Sequence, residues 1–165
     1  KENDAEHVWH MAIMTVLLSE YANENIDILK TVIMLLIHDI VEIDAGDTYA
    51  YDSEAVKTQR EREVKAAERI FGILPQDQAE KFKNLWEEFE QGETPEAKFA
   101  HTMDNFQPVM LNSATDGKAW AEHKVLLSQI LGRNKNTADG SQVLWDYSRD
   151  NFIMPNVEKG RIENR

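Results

Sequence analysis

Hydrophobic and polar residues recur with helical spacing along most of the chain. Apolar residues at i, i+3 and i+4 over residues 5–21 predict a first amphipathic helix, which Asn3 or Asp4 can cap. Residues 27–43 are apolar nearly all round in their middle, so we expect a second helix near the centre of the fold. The apolar stripe of the first helix consists of Val8, Trp9, Ala12, Ile13, Val16 and Leu17.

Glycine and proline residues divide the rest of the chain into further helical segments. The predicted helices span residues 53–71, 76–91, 96–113, 120–131 and 142–154, with a polar loop between Gly132 and Gly140. The sequence shows no sustained period-two alternation of β-branched residues, which would indicate strands. The sequence therefore predicts an all-α bundle of about six to seven helices.

Composition narrows the possible partners. The 165 residues carry 30 acidic and 18 basic side chains, a net charge of −12 that repels polyanions and argues against binding a nucleic-acid polymer. A small phosphorylated substrate would need a local cation, and a metal ion is the simplest one. No apolar run is long enough for a membrane span, and no signal-peptide pattern is evident, so we expect no membrane association. The absence of cysteine excludes disulfides and thiolate chemistry and fits a cytoplasmic protein.

An adjacent histidine and aspartate interrupt the most apolar segment. His38 and Asp39 follow the six apolar residues 32–37 and precede Ile40 and Val41. An ionised carboxylate is costly to bury without a partner, and imidazole and carboxylate are standard ligands of divalent cations. The alternative is that both side chains satisfy backbone groups or a nearby base. The apolar setting favours a metal site.

Two acidic residues follow this pair. Glu42 shares a helix face with His38 and Asp39, where it could exchange a proton with water at the metal. Asp47, beside Gly46, could point back into the same site, and an ordinary turn residue is a stronger alternative for Asp47 than a surface acid is for Glu42.

Other candidate ligands lie on the first and fifth predicted helices. His7 and His10 are one turn apart, and spacing alone does not rank them. Asp104 interrupts a core-facing surface, and His101 precedes it by one turn, more in keeping with a supporting or surface residue than with a ligand.

Four ordered motifs resemble the HD-domain metal-dependent phosphohydrolases, and within them the 5′-deoxynucleotidases. They are Asn-Asp-Ala-Glu-His-Val-Trp at residues 3–9, His-Asp-Ile-Val-Glu at 38–42, Gly-Asp at 46–47, and Ala-Lys-Phe at 97–99 leading to Asp104. The resemblance implies one HD domain over residues 1–165, with a metal-site core at about 3–113 and C-terminal helices at about 120–155.

The same resemblance implies specific roles. One divalent ion, such as cobalt, manganese or magnesium, would be held by His7, His38, Asp39 and Asp104. Glu42, with Asp47 beside it, would act on the attacking water or the leaving group. The substrate would be a nucleoside monophosphate, and the protein would form a homodimer.

Three basic residues could steady the substrate phosphate: Lys98, on the helix of Asp104, and Lys57 and Arg60 in the third helix. A solvated helix face is at least as good an interpretation of each.

Other functions remain open at this point. The protein could hydrolyse a different nucleotide, or it could be a non-catalytic helical module that keeps a metal for structure. A di-iron carboxylate bundle is excluded because no histidine follows a glutamate by three positions, and the His-Glu-x-x-His protease motif is also absent.

Overall fold

The protein is helical, as the sequence predicts. The computed structural model describes residues 2–46 and 53–164, without the side chains of residues 53–57, and no β-strand occurs within these ranges. Short 3₁₀ or π segments follow α1, α2 and α10. The helices are α1 Asp4–Leu18, α2 Ile28–Ile37, α3 Glu42–Ala45, α4 Ser53–Phe71, α5 Gln76–Gln91, α6 Pro95–Ala114, α7 Lys118–Glu122, α8 Leu127–Arg133, α9 Thr137–Gly140, α10 Gln142–Ser148 and α11 Met154–Glu158.

Helix α1 begins where its capping residues predict but turns a different face to the core. Asn3 and Glu6 form a capping box, each side chain accepting from the backbone N–H of the other at 3.0 Å. The buried residues of α1 are Met11, Met14 and Thr15. Its apolar stripe lies largely in solvent, with Trp9 63% and Leu17 67% exposed. Because α1 is apolar on more than one side, its sequence does not determine which side packs inward.

The second predicted helix is divided into three segments. α2 ends at Ile37, a 3₁₀ turn covers His38–Val41, and α3 follows until Gly46, whose φ of 79° ends it. The His38 ring bonds back to the carbonyl of Leu35, three residues earlier. The prediction of one continuous helix was wrong here. The backbone winds more tightly, as a 3₁₀ turn, where the His38 ring bonds to the carbonyl of the preceding turn.

As the sequence predicts, α2 lies near the centre of the fold, where it packs against α1, α5 and α6. Helix α6 is central as well. It packs against α1, α2, α5, α9 and α10. Thr94 caps it and Pro95 occupies its first turn. The main core forms around it, and its largest buried members include Met11, Met34, Leu35, Phe99 and Met103.

The C-terminal third departs furthest from the sequence prediction. The expected helix over 120–131 is broken between α7 and α8, where Lys124 has a φ of 51°. The expected loop over 132–140 contains the short helix α9, whose Thr137 is fully buried and accepts a hydrogen bond from Thr102 at 2.8 Å. These short elements obtain their order from contacts with α6, so local sequence patterns do not reveal them. Within the described residues, no helix combines the length and apolarity that crossing a bilayer requires.

Candidate metal centre

The tight turn after α2 directs His38 into the protein interior. The His38 side chain is 5% exposed, and its Nδ1 donates to the Leu35 carbonyl at 2.8 Å. A carbonyl oxygen can only accept, so Nδ1 carries the proton and Nε2 is left to face the site. Nε2 lies 2.9 Å from an Asp39 carboxylate oxygen.

His7 enters the same space from α1. Its Nδ1 lies 3.1 Å from the amide oxygen of Gln107, and its Nε2 lies 3.2 Å from Oδ1 of Asp104 on α6. The amide oxygen fixes the His7 tautomer in the same way as the Leu35 carbonyl fixes that of His38. His10, the competing candidate on α1, instead bonds through Nδ1 to the amide nitrogen of Gln107 at 3.2 Å.

Two imidazoles and two carboxylates therefore converge from three separate stretches of the chain. Ligand atoms of His7, His38 and Asp39 all lie within 4.8 Å of one another. Oδ1 of Asp104 lies 3.2 Å from His7 Nε2 and 3.8 Å from His38 Nε2. A divalent ion with ligand bonds of about 2.1 Å places neighbouring ligand atoms about 3 Å apart. The donors fit such an ion in type, and the separations of 2.9 Å between His38 and Asp39 and of 3.2 Å between His7 and Asp104 match that spacing.

In the metal-free protein, the imidazoles and the carboxylates of the cluster stabilise each other's charged forms. Burial acts to lower the pKa of His38, but hydrogen bonds and charge interactions with Asp104 and Asp39 outweigh burial and raise this pKa well above its usual value. Burial also acts to lower the pKa of His7, but the hydrogen bond to Asp104 and its charge outweigh burial and raise this pKa. Burial acts to raise the pKa of Asp104, but the two imidazoles outweigh burial and lower it. An arriving cation would replace protons on the imidazoles as the partner of these carboxylates.

Phe89 forms an aromatic wall on one side of the cluster. Its ring centroid lies 4.8 Å from that of His38 and 4.1 Å from that of His101. The Nε2 of His101 donates to the Phe89 carbonyl at 2.7 Å, and burial is the main cause that lowers the pKa of His101. His101 is therefore a neutral supporting residue in this structure rather than a member of the donor set.

The structure describes some of the predicted catalytic and substrate residues but not all of them. Glu42 begins α3 directly after the turn that carries His38 and Asp39. Asp47 and the side chain of Lys57 lie outside the described residues. The guanidinium of Arg60 bonds to Glu90 at 3.0 Å and lies 4.7 Å from the Trp86 ring centroid. Lys98 lines a separate cavity, whose walls include none of the four predicted ligands.

Two residues near the site were not identified from the sequence. Gln107 is fully buried and bonds to His7, His10 and Glu2, the last at 2.8 Å. The sequence contains one indication of this role, because Gln107 is an amide one helical turn after Asp104 on a largely apolar helix. Burial, followed by the nearby carboxylate of Glu63, raises the pKa of Glu90, which also interacts electrostatically with His38 and Asp104.

Comparisons with known proteins show which family this chain belongs to. The family model described as HD domain matches residues 1–145. The 5′-deoxynucleotidase HDDC2 of Homo sapiens is 28% identical over 123 residues, covering 74% of this chain and 57% of the human protein. The 5′-deoxynucleotidase hdd1 of Schizosaccharomyces pombe is 29% identical over 112 residues, covering 66% and 55% of the two chains. This chain therefore spans somewhat over half the length of these curated relatives.

A solved structure matches over nearly the whole chain. It is that of a protein described as a predicted metal-dependent phosphohydrolase from Magnetospirillum magnetotacticum MS-1, with a TM-score of 0.91 and 45% identity. The match covers 98% of this chain and 80% of that one. With the family model matching most of its length and this fold neighbour matching almost all of it, the chain belongs to the HD domain family.

Proposed function

We propose that the protein is a metal-dependent phosphohydrolase that releases phosphate from nucleoside 5′-monophosphates, with deoxyribonucleotides preferred. The observation that carries this proposal is the convergence of His7, His38, Asp39 and Asp104 on one small volume. Relatives named 5′-deoxynucleotidase support the substrate class.

In this proposal the four donors hold one divalent ion, with cobalt, manganese and magnesium as the candidates. Bound there, the ion would polarise a phosphoryl oxygen and favour deprotonation of the attacking water. The protein residues orient the reaction. His7 and His38 keep Nδ1 protonated through Gln107 and the Leu35 carbonyl, so each presents Nε2 to the site.

Glu42 is the proposed general acid–base. It directly follows the tight turn at His38–Val41, which carries two of the four donors. A carboxylate at this position takes the proton of the attacking water and returns a proton to the leaving 5′-oxygen. Asp47, Lys57 and Arg60 remain candidate site residues from the sequence, whereas Lys98 lines a separate cavity and is not assigned to this site.

A substrate panel tests the proposal directly. The chain is stripped of metal with a chelator, supplied with cobalt, manganese or magnesium, and assayed for phosphate release. The panel contains deoxyribonucleoside and ribonucleoside monophosphates, a cyclic nucleotide, a triphosphate and guanosine tetraphosphate. Release only from one of the last three would replace the proposed substrate class. Full metal content with no turnover on any substrate would instead indicate a structural or regulatory metal site.

Matched variants separate binding of the ion from turnover. Asp104→Asn should lose both metal and activity, because it removes one anionic donor while keeping the side-chain shape. Glu42→Gln should keep the metal and lose at least about a hundredfold in kcat, in line with the loss of general acid–base catalysis. Asp77→Asn, at an exposed acid in the first turn of α5, should change neither. Unchanged metal content in Asp104→Asn would refute its role as a ligand.

We also propose that the protein acts as a homodimer through the exposed apolar face of α1. Trp9, Ile13, Val16 and Leu17 lie at helical spacing on this face and are between 42% and 67% exposed. A chain with a net charge of −12 repels its own copies, so an uncharged helix face is the surface on which two copies can meet without that penalty. A symmetric pair buries the same stripe from both copies.

Light scattering tests the dimer. The unmodified chain should have twice its monomer mass at micromolar concentration, and Ile13→Glu with Leu17→Glu should produce monomers. Ile73→Glu, at a similarly exposed apolar residue between α4 and α5, is the control that should leave the dimer intact. A monomeric unmodified chain would refute the proposal.

A cytoplasmic location is proposed on the absence of cysteine from the sequence. Fractionation of the source cells followed by immunodetection would test it, and recovery from an extracytoplasmic fraction would contradict it.

A further inference from the structure

A polar cavity lies beside α6, and its walls include none of the four donors His7, His38, Asp39 and Asp104. It has a volume of about 310 Å³ and is bordered by the end of α5, one side of α6 and the segment from α8 to α9. His101 forms part of its wall and stacks on Phe89, whose ring also contacts His38. The stacked rings of Phe89 and His101 therefore separate this cavity from the candidate metal centre.

Three basic side chains line the cavity. They are Lys98 on α6, Arg133 at the end of α8, and Lys135 between α8 and α9. Within residues 2–46 and 58–164, no carboxylate lies within ion-pair distance of any of the three, whereas Lys30, Arg60, Lys65, Arg69, Arg149 and Arg161 each have one. Unpaired cations gathered in one cavity of a strongly acidic chain favour an anionic ligand.

The acidic residues of the cavity do not cancel this charge. Glu90 and Asp139 also line it. The carboxylate of Glu90 is bonded at 3.0 Å to Arg60, which lies outside the cavity walls, so that pair is neutral in sum. Asp139 alone then faces three cations, which leaves an excess of positive charge.

A second, less polar cavity lies next to the first. It has a volume of about 260 Å³, and Asn105 and Arg133 belong to the walls of both. Trp120, His123 and Val109 supply its aromatic and apolar surface, and Asn112 and Asn134 supply amides. Flat surfaces with a few amide groups suit a heterocyclic base. We call the two neighbouring cavities the α6 cleft.

We propose that the α6 cleft binds a nucleotide at a site distinct from the metal centre. Lys98, Arg133 and Lys135 contact its phosphates, and the cavity lined by Trp120 and His123 holds its base. Arginine suits the phosphate end because its planar guanidinium can donate two parallel hydrogen bonds to phosphate oxygens. Arg133 lies where the two cavities meet, so it would contact the phosphate nearest to the nucleoside.

Nuclear magnetic resonance titration of the full chain tests this proposal without any catalytic readout. Pyrophosphate and deoxyadenosine triphosphate are the two probes, added after the metal has been removed by chelation. Both should shift the guanidinium signal of Arg133 and the backbone amides of residues 133–139. Only the nucleotide should also shift the indole signal of Trp120, because pyrophosphate has no base.

Charge-matched variants identify the binding residues. Arg133→Gln with Lys135→Gln should weaken both probes by about tenfold or more, because two charge-assisted contacts are lost. Lys81→Gln with Lys159→Gln removes the same charge at two exposed lysines that do not line the cleft, and should change affinity less than about twofold.

Three outcomes would overturn the proposal. They are equal weakening by both double variants, shifts confined to residues around His7 and His38, or a nucleotide that leaves Trp120 unchanged. Because the measurement needs no bound metal, loss of phosphate release in the proposed reaction would not affect its result.

Discussion

Gln107 provides the sharpest test of how the donor cluster is organised. Its amide oxygen accepts from Nδ1 of His7 at 3.1 Å, and its amide nitrogen lies 2.8 Å from Glu2 and 3.2 Å from His10. Gln107→Leu keeps a similar volume but removes the acceptor. Metal binding requires a neutral His7 ring, and without the acceptor this ring can keep its proton on Nε2, which blocks the nitrogen that faces Asp104.

The expected loss can be estimated from similar second contacts to metal ligands. Removing such a partner typically weakens metal binding ten- to a hundredfold, or about 1.4–2.8 kcal/mol. The metal-free protein should also lose about 1–3 kcal/mol of unfolding free energy, because a largely buried N–H loses its acceptor. Gln107→Glu keeps an acceptor for His7 and should recover most of the metal affinity.

Two measurements separate positioning from simple destabilisation. Isothermal titration with manganese gives the affinity, and nitrogen-15 spectra of the His7 ring give its tautomer. Asn112→Leu, an amide on the same helix that bonds the Pro108 carbonyl at 2.9 Å, is the control expected to leave both unchanged. If Gln107→Leu bound manganese with unchanged affinity and an unchanged His7 tautomer, the positioning role would be refuted.

Two further predictions concern protonation and packing. Because the pKa of His38 is raised in the folded state, protonated His38 stabilises the metal-free protein below the unfolded pKa of 6.5, and this contribution is lost as the pH rises through the folded pKa. Stabilisation by manganese should therefore increase from pH 6 to pH 8, by up to about tenfold in affinity per pH unit for each proton displaced. Melting shifts that do not depend on pH would contradict this. Gly140→Ala should lower the free energy of unfolding, measured by chemical denaturation, by about 1–3 kcal/mol, because the added Cβ would lie 2.4 Å from both the Lys98 carbonyl oxygen and Thr102 Oγ1. The control Gly132→Ala in α8 meets nothing within 4 Å and should be neutral or stabilising. Equal effects of the two substitutions would argue against close packing of α9 on α6.

Local signals in the sequence were enough to locate several elements. The bounds of α4 and α5 agree with prediction because Gly72, Pro75 and Gly92 interrupt helical segments that are otherwise continuous. The capping box at Asn3 is likewise a local feature, since its partners are three residues apart. His38 and Asp39 were conspicuous because ionisable residues are costly inside an apolar segment.

The orientation of α1 is a feature that local signals in the sequence do not determine. Helical periodicity defines faces relative to the helix axis, and α1 has apolar residues on more than one face. Which face becomes buried depends on α2 and α6, which pack against it from distant parts of the sequence. The short helices α7, α8 and α9 were misplaced for a related reason, because helices of a few residues are ordered by tertiary contacts rather than by their own propensity.

The sequence alone determined the helical class, the bounds of α4 and α5, and the presence of ionisable residues inside an apolar segment, because each depends on neighbours within one or two turns. Only the tertiary structure decided that His7 and Asp104, 97 positions apart, lie 3.2 Å from each other, and that Gln107 rather than a nearer residue holds His7. It also decided that Lys98 and Arg133 share a cavity. Distances between helices depend on how the whole core packs, and no local pattern contains that information.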